Sequence, residues 1–502
     1  CGSALSSPRC CIAFMESESQ PTSFSNWMPA SFSNRTSSFV PQGLEEAAEA
    51  RTKAASSSLS LISTASFYEP PTATPTQVKW TRAGFLVANL IVGSGIFTTP
   101  YGFKEAGWFA VVLAVLSTTV ATWTGLLIGD LLESVSGPAA LVSNATPPTY
   151  NTVGERAFGR AFLPFFGAFG IGQCLLQGVY MISLSAQSWQ ASLGFSVNKM
   201  ICANAVVCLC ISLIPRRYFS IIAKLGVAIT LAAIAVVVAS GLSLIPSGTA
   251  NRHQSSFGAG FAGVSGSLST VILSCGDHVC FPDIYTATGS QKQTYKKGIV
   301  MGFSIFLLCV LGFCIPCYFT LGDTIEPNVL TNIGMNGHGE ITSFPREFRI
   351  VTNAVLAFRF LFIIPCFMPA IFAASDSFAG AILKMELSDA AGVESIFVFL
   401  REWPRKFTVC LVSRVIGYCI LVCSAIFFAS FLGPLVTIVG SLFQSINVIV
   451  IPCLAYNRLC PEKLQGRPAK RLLLWLLVLV GLIWCIGGTV TGVMDVIAGK
   501  ST

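Results

Sequence analysis

From Trp80 onward, apolar runs of roughly 20 residues alternate with short polar loops. An α-helix rising 1.5 Å per residue needs about 20 such residues to cross a hydrocarbon core of about 30 Å. About eleven spans are predicted, near 82–103, 107–132, 162–188, 198–214, 219–245, 261–285, 298–321, 349–383, 407–429, 431–456 and 471–496. The eighth is long enough to tilt, and the ninth and tenth are divided only by Phe431-Leu432-Gly433-Pro434. The pattern predicts an all-α polytopic membrane protein. Residues 1–79 break the pattern: they are polar and Ser-rich, the composition of a disordered cytosolic tail. Residues 80–502 read as one transmembrane domain.

Two spans carry interruptions that a lipid-facing helix would avoid. Span 1 contains Gly93-Ser94-Gly95 followed by Pro100, and span 6 contains Ser274, Gly276 and Asp277 followed by Pro282. Glycine costs about 1 kcal/mol in a helix interior, and freed backbone at membrane depth is tolerated only where it lines a cavity or finds partners. Two discontinuous helices five spans apart match a five-plus-five inverted repeat, with span 11 as an addition outside the core. A broken helix offers N–H groups to a carboxylate and C=O groups to an ammonium. A zwitterionic amino acid carries both charges a short distance apart. Gly93, Ser94, Gly95, Ser274, Gly276 and Asp277 are therefore candidate substrate-binding residues, a small-residue packing face being the alternative. On span 3, Gln173, Gln177 and Tyr180 share one helical face. Gln177 and Tyr180 join the substrate candidates, with interhelical packing as the other reading.

Composition narrows the function class. The chain is 53% hydrophobic and 11% charged, whereas soluble domains carry about 25% charged residues. No HExxH, Walker lysine motif, GxSxG or paired CxxC stands in a plausible context, so no enzyme, metal site or cofactor is expected. The net charge of +8 is spread over alternate loops rather than gathered into a nucleic-acid surface. Arg156, Arg160, Arg216, Arg217, Lys292, Lys296, Lys297, Lys384, Arg401, Arg405, Lys406, Arg458, Lys463, Arg467, Lys470 and Arg471 fall on one side. Only Lys104, Lys199, Arg252, Arg346 and Lys500 fall on the other. This positive-inside asymmetry predicts a cytosolic N-terminus and an extracellular or lumenal C-terminus. Most of the nineteen cysteines lie inside spans, where they act as small apolar residues, and no structural disulfide is expected. The sequons at Asn34 and Asn144 fall on predicted cytosolic segments, and no cleavable signal peptide is visible.

Four segments together resemble a known family: "NLIVGSGIFTTPYGFKEAGW" (89–108), "TYNTVGERAFG" (149–159), "GDHVCFPDIY" (276–285) and "LVTIVGSLFQSINVIVIPCLAYNRL" (435–459). In order over most of residues 80–460, they are similar to the amino acid/auxin permease family. That family includes vacuolar, vesicular inhibitory and sodium-coupled neutral amino acid transporters. The resemblance implies eleven spans, an inverted-repeat core like that of the bacterial leucine transporter, and secondary amino acid transport driven by sodium or protons. It aligns Asn89 with the span-1 asparagine of the ion site in sodium-coupled members. It aligns Gly93, Ser94 and Gly95 with the substrate-backbone site, and His278 with the histidine of the pattern GHxVFPxIY. Asp277 stands where that pattern has glycine.

Sodium-coupled members place hydroxyl residues on span 8, where the best register here puts Leu361 and Ile363. Neither supplies the oxygen that a hard cation needs. Protons are thus favoured as the coupling ion, with sodium still open through backbone carbonyls and Ser375. Charged residues within spans are rare and face cavities or partners. His278 has an unperturbed pKa of about 6.5, suited to proton exchange, or is a hydrogen-bonded structural group. Arg359 fills the vacant cation position, pairs with Asp277, or fixes helix orientation by another salt bridge. Lys224 supplies a charge in the same region or snorkels to the cytosolic surface.

The reading is secondary active amino acid transport by alternating access, proton-coupled in preference to sodium-coupled. A transporter-like amino acid receptor is the alternative. A small amino acid and the bilayer are the partners. The particular amino acid, the choice between plasma and vacuolar or lysosomal membrane, and the oligomeric state are not legible.

Overall fold

Gly-Pro punctuation sets where the first membrane crossing stops and restarts. In the computed structural model, helix Trp80–Ile91 ends at the Gly93-Gly95 stretch. A 3-10 turn over Ile96–Thr98 then leads into helix Thr99–Ala106, and the two halves are bent by 51°. Pro100 occupies the first turn of the second half, where its missing N–H would have had no partner in any case. The sixth crossing repeats the design: helix Gly260–Cys275, a 3-10 turn Asp277–Cys280, then helix Phe281–Ala287 with Pro282 in its first turn. The structure describes residues 79–93, 95–140, 149–212, 219–247, 250, 254–258, 260–335, 345–361, 363–364 and 404–499. Residues 1–78, with Asn34, lie outside that set, as do Ser94, Asn144 and Ser375.

The other spans follow in order. Span 2 is Phe109–Ala140, span 3 is Leu163–Leu193, span 4 is Val197–Ser212 and span 5 is Phe219–Leu242. Span 7 is Lys292–Leu321 and span 8 is helical over 346–361. Spans 9, 10 and 11 are Pro404–Phe428, Leu432–Leu459 and Pro468–Ile497. Among the described residues seven helices are long and apolar enough to cross a membrane, and the bent first pair counted as one span makes an eighth. Among the described residues no strand occurs.

The packing has the symmetry expected of a repeat. The first half of span 1 lies on span 7 and the first half of span 6 lies on span 2. The second half of span 1 also touches span 7, and the second half of span 6 touches span 2. Exchanging span 1 with 6 and 2 with 7 therefore preserves the pairs. Because four crossings lie between the mates, each enters from the side opposite its partner. Span 10 is largely buried, whereas spans 9 and 11 turn most of their surface outward. Large apolar side chains such as Leu308, Leu472 and Ile497 face out. Gln173, Gln177, Ser183, Ser185, Thr124 and Gln444 are buried, the inverse of a soluble fold and the arrangement that a hydrocarbon solvent favours.

The second half of span 1 is laced to the entry of span 6. Trp108 N donates to Ser255 O (3.0 Å) and Phe109 N to Ser256 O (3.2 Å). A Cβ on Gly102 would lie 3.2 Å from Ser267 Cα, and one on Gly258 would collide with the Glu105 carbonyl. The loop after span 7 folds inward. Ile325, Val329, Leu330 and Ile333 are fully buried, and the turn Val329–Asn332 rests on spans 3 and 5 and on the Ile96–Thr98 turn. Lys104 Nζ ties this loop to span 1 by donating to Ile325 O (3.0 Å). At the opposite end of the bundle, Asp130 and Glu133 of span 2 meet Lys292 and Lys296 of span 7 and Lys463 from between spans 10 and 11, at 2.6 to 3.8 Å.

Candidate functional site

Each interrupted helix leaves backbone groups that must be accounted for. In span 1, Val92 N donates to Ala88 O (2.8 Å), closing the first half. The Gly93 carbonyl accepts from Arg359 Nη1 of span 8 (3.0 Å). The Gly95 carbonyl accepts from Thr98 N (3.1 Å) and Thr98 Oγ1 (2.8 Å), and Ile96 O from Thr99 Oγ1 (2.5 Å). The carbonyls of Gly93, Gly95 and Ile96 are thus hydrogen-bonded within the break.

The two breaks touch. A Cβ on Gly95 would lie 2.7 Å from Ser274 Cα and 2.8 Å from Ser274 N. Gly95 has φ −93° and Gly276 φ −79°, values that any residue adopts. Glycine is needed here for close approach and not for backbone handedness. Ser274 is fully buried and its Oγ donates back to Thr270 O (3.2 Å).

Asp277 and His278 leave the break in different ways. Asp277 is 5% exposed and faces the Gln177 amide of span 3, whose Nε2 has not closed a full hydrogen bond. Among the described residues no cation stands within ion-pair distance of it. Arg359, one of the partners expected for Asp277, is committed instead to the Gly93 carbonyl. His278 is fully buried, its ring 4.6 Å from that of Phe281. Its Nε2 lies 3.0 Å from Ala121 O and 3.0 Å from Thr124 Oγ1, both on span 2. The carbonyl can only accept, so Nε2 carries a proton.

The polar stripe on span 3 reaches three different helices. Gln173 Oε1 accepts from Asn447 Nδ2 of span 10, Gln177 faces Asp277, and Tyr180 OH donates to Thr98 Oγ1 (3.1 Å). Span 3 is thereby a common support for both breaks and for span 10. Arg359 is 6% exposed and lies between Gly93 and Gly226 of span 5. A Cβ on Gly226 would come within 3.1 Å of Arg359 Nε. Span 8 is anchored two residues earlier, where Ala357 O accepts from Ser185 Oγ (3.0 Å), itself held by Asn204 Nδ2 (3.0 Å). Leu361 is buried near this point and offers no side-chain oxygen. Asn89 is half-buried one turn before Gly93. Lys224 sits on span 5, and its side chain falls outside the described set, as does Ser94.

Three residues of the site do not stand out in the sequence. Span 10 widens into π-helix over Val439–Gln444 and again over Ile446–Val450, geometry that recurs at functional sites. Gln444 on this segment is fully buried, with neither amide atom hydrogen-bonded. A Cβ on Gly276 would overlap its amide carbon. The carbonyl of Asn447 accepts from Tyr150 OH (2.7 Å), on the short helix Tyr150–Phe158 capped by Thr149 and Thr152. The signal for Tyr150 was its place in the "TYNTVGERAFG" segment. Gln444 lay in the "LVTIVGSLFQSINVIVIPCLAYNRL" segment, where nothing singled it out beyond being polar in an apolar run.

The profile of the transmembrane amino acid transporter protein family matches residues 76–494. The chain belongs to that family. Two relatives of this chain come from Arabidopsis thaliana. Amino acid transporter AVT1C is 23% identical over 261 residues, 49% of this chain and 44% of the relative. The chain thus spans about half the length of that protein. Amino acid transporter AVT1J is 20% identical over 438 residues, 83% of this chain and 91% of the relative. Both relatives are named as amino acid transporters. Among solved structures, a mutant of the Eremococcus coleocola manganese transporter aligns at 11% identity and TM-score 0.38, over 86% of this chain and 97% of its own. A nucleobase-cation-symport-1 family transporter in a closed conformation with bromovinylhydantoin bound aligns at 13% and TM-score 0.45, over 87% and 97%.

Proposed function

We propose that this membrane protein is a secondary active transporter of amino acids, working by alternating access and coupled to protons rather than sodium. The carrying observation is the Arg359 guanidinium on the Gly93 carbonyl (3.0 Å). A resident cation occupies backbone that an inorganic ion would otherwise coordinate, and the neighbouring Leu361 supplies no oxygen ligand. The substrate lies at the facing breaks, with Gly93, Ser94, Gly95, Ser274 and Gly276 presenting backbone and small polar groups. Asp277, supported by Gln177, receives an ammonium, and Tyr180 shapes the turn through Thr98. Asp277 and His278 are the titratable groups available for a coupling proton; Asn89 and Lys224 complete the region around the resident cation. The buried turn Val329–Asn332 covers the outer side. The N-terminal tail is cytosolic and the protein resides in a plasma, vacuolar or lysosomal membrane.

Uptake of a radiolabelled amino acid panel into proteoliposomes tests this reading. With acid outside and no sodium, accumulation is expected, and Arg359→Met is expected to abolish it. Accumulation driven by a sodium gradient alone would overturn proton coupling. Saturable binding without accumulation would make the protein a receptor.

A further inference from the structure

We infer that Gln444 is a specificity-determining residue of the substrate site, and that the preferred substrate is an amino acid whose side chain ends in a nitrogen donor: carboxamide, ammonium or guanidinium. The inference deepens the transport reading and rests on it.

Gln444 is fully buried and both its amide atoms lack a partner. A carboxamide can make up to four hydrogen bonds, and buried amides left unmade are costly enough to be rare. The neighbours explain its position without satisfying it. Ser441 Oγ donates to Thr437 O (2.6 Å) and lies 3.1 Å from Thr489 Oγ1 of span 11, and Ser445 Oγ donates to Ser441 O, so the adjacent hydroxyls are engaged elsewhere. Asn447 is committed to Gln173 and Tyr150.

Its direction is set by close packing. The amide carbon lies where a side chain on Gly276 would begin, so only glycine there admits it to the span 6 break. The next residue, Asp277, faces Gln177, another amide with an open Nε2. Span 3, span 6 and span 10 thus each contribute one polar group, and the three groups stand around one residue step of unwound backbone. The open atoms are Gln444 Oε1 and Nε2 and Gln177 Nε2, and the Asp277 carboxylate beside them adds acceptors only, so the set is richer in acceptors than in donors. An apolar side chain would leave the Gln444 amide unsatisfied. A nitrogen donor satisfies the Gln444 oxygen, while the backbone sites of span 1 hold the α-groups. The π-helical register of span 10 turns this residue inward, with Phe443 directed to span 3 against Gly172 and Phe169.

The test uses full-length protein in proteoliposomes and three tracers, glutamine, lysine and leucine. Wild type is expected to take up glutamine or lysine in preference to leucine. Gln444→Leu is expected to lower that preference by about tenfold, the scale on which an unpaired polar group discriminates. Gln444→Asn, which keeps the amide but shortens its reach, is expected to lower glutamine or lysine uptake by a larger factor than leucine uptake. An unaltered preference in Gln444→Leu overturns the inference and leaves transport intact, as would be found if only a water met the amide. An equal loss for all three tracers in Gln444→Asn makes the residue structural and also overturns it. Accumulation of none of the three by wild type defeats the transport reading itself.

Discussion

Replacing Gly95 with alanine adds one methyl group where the two interrupted helices meet. Its Cβ would lie 2.7 Å from Ser274 Cα and 2.8 Å from Ser274 N. Carbon contacts settle at about 3.5–4.0 Å, so the helices must part by roughly 1 Å. Both neighbours are backbone atoms, which cannot rotate away. Overpacking of this kind costs about 1–3 kcal/mol, and a displacement of about 1 Å at a reacting centre can cost a hundredfold. At about 1.4 kcal/mol per tenfold, Gly95→Ala should lose roughly 10- to 100-fold in uptake kcat/KM. The local φ of −93° accepts alanine without strain, so the loss is attributable to contact alone. Gly312 on span 7 is the control, because nothing lies within 4 Å of a Cβ there. Gly312→Ala should transport normally and gain up to about 1 kcal/mol of helix propensity. Initial uptake rates and detergent melting temperatures of both variants decide the matter. Wild-type uptake by Gly95→Ala, or equal damage from Gly312→Ala, would refute the close-packing argument.

Two further outcomes follow from other contacts. Tyr180→Phe removes the hydroxyl donated to Thr98. Interhelical hydrogen bonds in membranes average about 0.6 kcal/mol with a ceiling near about 1.7, so a small fall in melting temperature with uptake retained is expected; loss of all uptake would give that hydroxyl a direct role with substrate. Asp130→Asn leaves Lys292 and Lys463 on the Glu133 carboxylate alone and removes the carboxylate that Lys296 pairs with. Partly exposed pairs contribute about 0–1 kcal/mol each, and at molar salt the Debye length falls to about 3 Å. The variant should melt lower than wild type at low ionic strength and recover in high salt, and a salt-independent deficit would mean the effect is not electrostatic.

The crossings and their interruptions were legible because hydropathy and glycine placement act locally. The five-span separation of Gly95 from Gly276 was enough to expect a repeat, and the packing pairs agree. The stripe of Gln173, Gln177 and Tyr180 was visible as spacing on one face, but spacing does not name partners. Three neighbours in one row turned out to serve three helices. Arg359 presented the same difficulty: its charge could be seen, while the choice between Asp277 and the Gly93 carbonyl depends on how spans 1, 5 and 8 converge. Gln444 was invisible for another reason. A π-helix changes which side of a helix a residue faces without altering composition, so no periodicity argument points it at Gly276.

The lacing of residues 102–109 to 255–267 has a mechanical consequence. Backbone hydrogen bonds at Trp108 and Phe109, with glycine contacts at Gly102 and Gly258, make the second arm of span 1 and the entry arm of span 6 a single rigid lever. Any stroke that opens the binding region must then pivot at Gly93–Gly95 and Gly276, because the seam between the arms has no slack to yield first.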